Sequence, residues 1–63
     1  MAYALGTTET QVRWYTFFRA GDAWRFELHE VLDVSRVTYF ASKDDAKAVA
    51  RAAGLSSWRY VRF

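Results

Sequence analysis

YFASKDDAKAVARAAGL, residues 39–55, is the stretch on which the reading of this 63-residue chain turns. Start signal, period and stop signal agree there on a helix. Ser42 precedes a run of good helix formers and Asp45 follows three residues later, a capping-box arrangement with Asp in place of the usual Glu or Gln. Asp44 and Asp45 place negative charge in the first turn, where the helix dipole favours it, and Arg51 lies near the C-terminal end. Gly54 supplies a residue able to adopt the left-handed conformation that ends a helix, with Leu55 as its hydrophobic contact. The apolar positions Ala46, Val49, Ala50 and Ala53 follow the spacing i, i+3, i+4, i+7. Three of them are alanines, so the buried face is nearly flat and must meet large side chains from its partner layer. Lys47, Arg51 and Asp44 are left to solvent.

Upstream of the helix, residues 11–19 read QVRWYTFFR, rich in the β-branched and aromatic residues of strands. Alternation divides them into Val12, Trp14, Thr16 and Phe18 on one side and Arg13, Tyr15, Phe17 and Arg19 on the other. Ala20-Gly21-Asp22-Ala23 forms a turn. Trp24, Phe26 and Leu28 then alternate with Arg25, Glu27 and His29, predicting a second strand and a hairpin. A helix over about residues 23–33 behind an Asp22 cap is the rival reading, since Trp24, Leu28, Val31 and Leu32 also fit helical spacing. Phe26 interrupts that stripe, and the strand is preferred. Arg36 to Phe40 reads as a third short strand, and Trp58 to Phe63 as a terminal one. Residues 1–10, MAYALGTTET, keep no sustained period and read as a loosely ordered lead-in.

The expected architecture is one α+β domain over residues 1–63. It is a two-layer sandwich of order β-β-β-α-β, with a three- to four-stranded, mainly antiparallel sheet and one helix on one face. Trp14, Phe18, Trp24, Phe26, Leu28, Val37 and Tyr39 are assigned to the helix side. Arg13, Tyr15, Phe17, Arg25, His29 and Phe40 are assigned to the open side. From the last strand, either Arg59, Val61 and Phe63 or Trp58, Tyr60 and Arg62 would join the open set.

The stretch from Phe17 to Leu55 resembles the small YegP-like modules in several particulars. These are Gly21 in the first turn, the run Trp24, Arg25, Phe26 and Leu28, the aromatic-x-Ser-Lys segment from Tyr39 to Ala46, and Gly54-Leu55. The Asn-Gly turn of that pattern is missing here, and the terminal WRYVRF is additional. The resemblance implies a sheet-plus-helix fold and no particular activity. In type alone, a small αβ chain without cysteine or proline looks like phage accessory proteins, anti-CRISPR inhibitors among them.

Composition narrows the classes further. Without cysteine, a disulfide staple and a thiolate metal site are both excluded. A chain this short buries only about 60% of the surface its unfolded form exposes. Its twelve aromatic residues must therefore carry the stability, with oligomerisation as the usual supplement. The net charge of +2 comes from seven arginines and two lysines against seven acids, a usage suited to bidentate contacts and ring stacking. No apolar run approaches the ~20 residues that span a bilayer and no signal segment opens the chain, so a cytoplasmic location is expected.

His29-Glu30-Val31-Leu32-Asp33 looks like a zinc-protease motif with its second histidine replaced. His29 is the only histidine, and its segment reads as a strand, so no metal is expected. No serine has an evident His-acid partner and no Gly-rich phosphate loop is present, so neither an enzyme nor a cofactor is expected. The candidate site is instead a mosaic of arginines and rings comprising Arg13, Tyr15, Phe17, Arg25, Phe40 and Arg59. Such a face suits a protein partner, another copy of the chain included, because Arg, Tyr, Trp and Phe are the anchor types of interfaces. The alternative is nucleic acid, with the rings stacking on unpaired bases and the arginines on phosphates.

Overall fold

A computed structural model describes residues 2–63. Its order is β1 (Tyr3–Gly6), β2 (Trp14–Ala20), β3 (Ala23–His29), α1 (Lys43–Ala52) and β4 (Arg59–Arg62). The strands form one antiparallel sheet in the spatial order β3-β2-β1-β4, with the helix on one face. The α+β sandwich of order β-β-β-α-β is therefore present, although the first three strands are not the three expected.

The helix follows its local signals. The Ser42 hydroxyl accepts the Asp45 N–H at 3.1 Å, closing the first turn. At the other end Gly54 takes φ +90°, its N–H reaching the Arg51 carbonyl and the Leu55 N–H reaching the Ala50 carbonyl. Those two bonds make a Schellman motif and satisfy carbonyls the helix itself leaves open. Ala46 and Ala50 are fully buried, with Val49, Ala53 and Leu55 packed beside them.

The hairpin is also as expected, and residues 23–29 are strand rather than helix. Gly21 at φ +64° opens a two-residue loop that places Ala20 opposite Ala23. Every later pair follows from that register: Phe18 with Arg25, Phe17 with Phe26, Tyr15 with Leu28 and Trp14 with His29.

Two assignments need correction. Residues 3–6 are no loose lead-in, Met1 lying outside the described residues. Tyr3–Gly6 is an inner strand flanked by β2 and β4, with Ala4 and Leu5 at 0% exposure. Both faces of such a strand are covered, so its sequence shows no polar alternation to identify it. Conversely, Arg36 to Phe40 is no ladder strand. It touches β1 through the single bridge Tyr3–Phe40 and lies against β2 through Thr38. The Thr38 hydroxyl accepts the Phe17 N–H at 2.7 Å, standing where a main-chain carbonyl would in a regular ladder. β1 and β2 meet only at Gly6 and Trp14, and residues 37–40 fill the opening between them.

The core lies between helix and sheet. Leu5, Tyr15, Phe17, Ala46 and Ala50 are its buried members, surrounded by Trp24, Phe26, Leu28, Phe40, Trp58 and Tyr60. Tyr15 stacks on Phe17 at 5.5 Å, and Phe26 and Phe40 meet these rings edge-on. The flat alanine face is thus filled by rings from the sheet. No described helix is long and apolar enough to cross a membrane.

Candidate interaction surfaces

The predicted mosaic is divided by the sheet. Tyr15 and Phe17 are 6% and 7% exposed beneath the helix, and Phe40 packs on Phe17 in the same layer. None of the three rings is on the open side, so none can serve as a contact ring there. Burial also raises the Tyr15 phenol above its ordinary pKa, because the charged form loses its water. Arg13 is committed locally: its guanidinium meets Glu9 at 2.9 Å and holds that carboxyl below the usual carboxylate range. Arg25 and Arg59 do lie on the side away from the helix, on the two edge strands, with β2 and β1 between them.

The face away from the helix carries a different set of residues. Directly opposed residues of antiparallel strands share a face. Trp14, Thr16 and Phe18 therefore stand there with His29, Glu27 and Arg25, and Ala4 with Val61. Tyr39, placed by its sequence on the helix side, meets Phe63 edge-on at 5.4 Å and donates its hydroxyl to the Val34 carbonyl at 2.8 Å. Phe18, Tyr39 and Phe63 are 40%, 41% and 45% exposed and Val34 is 59% exposed, so apolar side chains on this side of the sheet are left to solvent.

The connector after β3 crosses part of this face. Thr16 donates its hydroxyl to the Arg36 carbonyl at 2.7 Å, and Val37 is buried beneath the crossing. Asp33 accepts both the N–H and the hydroxyl of Ser35, a turn that also holds its carboxyl below the ordinary aspartate range. His29 ends β3, so the HEVLD residues share no helical face. Its Nε2 is buried without a hydrogen-bond partner, 3.9 Å from a Glu27 carboxylate oxygen. Among the described residues, no three His, Asp or Glu side chains converge as metal ligands would.

A second surface lies on the other side of the sheet, where the helix runs beside β4. Lys47, Arg51, Ser56, Ser57, Trp58 and Tyr60 line a groove of about 320 Å³ there. Lys43 stands one helical turn before Lys47, its ammonium 5.5 Å from the Tyr60 ring and 5.9 Å from the Tyr3 ring. The i, i+4, i+8 recurrence of Lys43, Lys47 and Arg51 is legible in the sequence, but only the fold shows which strand it faces.

No protein-family model matches the chain, and no curated protein or solved structure matches it at a significant level.

Proposed function

We propose that the chain is a non-enzymatic protein-interaction module whose contact surface is the sheet face away from the helix, and that a second copy of the chain covers it. The observation that carries this reading is the exposed ring pair Tyr39–Phe63, hydrogen-bonded to the exposed Val34 and sharing its side of the sheet with the exposed Phe18. Apolar surface of that kind on so small a domain gains from being covered. The surrounding charges favour self-association. Arg25 and Glu27 are neighbours on this face, with Arg59 on the far edge strand and Arg36 and Asp33 on the connector above, so both signs are present. Across a two-fold axis one copy's arginine meets the other's carboxylate, the self-complementarity such contacts require. Occluding a partner protein's surface needs no catalytic group, so a mobile-element inhibitor would use this same face with the partner protein in place of the second copy.

Solution mass decides it. Light scattering should give twice the 7.3 kDa chain mass, unchanged between low and high salt, and Tyr39→Ala with Phe63→Ala should return the monomer. A monomer at every concentration, or a dimer indifferent to the double substitution, rejects the self-pairing. A mass that rises only with single-stranded DNA at low salt supports the nucleic-acid alternative instead.

A further inference from the structure

β4 is the last strand in the sheet order, so one of its edges is unpaired. Ala2 and Phe63 exchange main-chain hydrogen bonds in both directions, at 3.3 and 2.8 Å. Alternation from that pair directs the N–H and C=O groups of Val61 and Arg59 toward β1, and those of Tyr60 and Arg62 outward. These outward groups are an unoccupied template for one more strand.

The helix flank beside that edge carries three basic side chains, with Asp44 next to the row in the first turn. Lys43, Lys47 and Arg51 recur every four residues, a step of about 6 Å along the axis. Lys43 lies by Tyr60 and Arg51 near Trp58, so the row runs alongside β4 in the opposite direction. An extended peptide repeats its same-face side chains about every 6.7 Å, close to the same step. Among the described residues, Arg13–Glu9 is the Arg or Lys ion pair, so no carboxylate lies within ion-pair distance of this row. Arg59 and Arg62 add positive charge on the strand itself.

We propose that the β4 edge and the helix flank together bind an acidic segment in extended conformation, added to the sheet as a fifth strand. Its main chain pairs with Tyr60 and Arg62, and carboxylates at alternate positions meet Lys43, Lys47 and Arg51. Main-chain bonds supply affinity and the alternating charge supplies selectivity, as in other strand additions. A nucleic-acid strand fits the charge but not the rings. The Tyr60 ring already carries the Lys43 ammonium, and Trp58 meets Tyr60 edge-on at 6.3 Å, which leaves no paired stacking platform. The inference is independent of self-pairing, which uses the opposite face.

Fluorescence anisotropy with labelled heptapeptides tests it. The probe Glu-Val-Glu-Thr-Glu-Val-Glu should bind about fivefold or more tightly than its block isomer Glu-Glu-Glu-Glu-Val-Thr-Val, and methylating alternate main-chain nitrogens should abolish binding. Lys47→Gln with Arg51→Gln should weaken the alternating probe about tenfold or more, with the circular dichroism spectrum unchanged. Equal binding of the two isomers reduces the site to unspecific charge and overturns the proposal. So do failure of the alternating probe to bind, tighter binding of a heptathymidylate, or indifference to the double substitution.

Discussion

The Phe17 ring is packed among Tyr15, Phe26 and Phe40, while the ring of Phe18, the next residue, stands 40% exposed on the other face. Phe17→Ala should therefore cost about 3–5 kcal/mol. A chain of this length has only about 3–9 kcal/mol in total, so little folded protein would remain. Phe18→Ala should cost about 1 kcal/mol or less. Urea unfolding of the two variants checks this, and equal midpoints would mean the faces are assigned wrongly. The assignment was within reach of the sequence. A two-residue loop at Gly21-Asp22 sets Ala20 against Ala23, and counting back sets Phe17 against Phe26 and Tyr15 against Leu28. With Phe26 and Leu28 inward, Tyr15 and Phe17 must follow. Reading each strand's alternation separately missed that constraint, and with it which rings remain free to bind. Nothing comparable fixes Phe40 and Tyr39, whose faces depend on where an irregular segment lands.

Helix α1 is held by devices confined to its own termini, so it is the element most legible in the sequence. Ser42→Ala removes the acceptor of the Asp45 N–H and should cost about 1 kcal/mol. Gly54→Ala has free space around the new methyl group but must hold φ +90°, which should cost about 1–2 kcal/mol. Thermal melts should show both losses, and an unchanged Gly54→Ala midpoint would mean the helix can end without the left-handed residue. β1 is the opposite case. Four residues with both faces covered carry no period, and their position is set by β4 and by residues 37–40, which lie far along the chain. Residues 36–40 have the composition of a strand, yet the Thr38 hydroxyl takes over a main-chain role there and no ladder forms. Composition reports what a segment tolerates. Only tertiary contact reports which edges are available to it.

For the molecule as a whole, β1 is the piece that makes one sheet out of separate parts. A chain lacking residues 1–6 loses the fully buried Leu5 and the strand that joins β4 to the hairpin. It should show no cooperative melting transition by circular dichroism, and a melt matching the full chain would show that β1 is dispensable. The candidate surfaces also belong to this scale, because each is assembled from distant segments: Tyr39 with Phe63 on one side, and α1 with β4 on the other. The wedge formed by residues 37–40 has a further consequence for the order of events on a ribosome. Of the four strands, the one synthesised first pairs with the one synthesised last, and its remaining edge is completed by Phe40, which also emerges late. The hairpin can close without waiting for the segments that follow it, since its partners are neighbours in sequence. β1 cannot. Its apolar residues stay without their native cover until β4 has emerged as well, so self-association competes with folding over that whole interval.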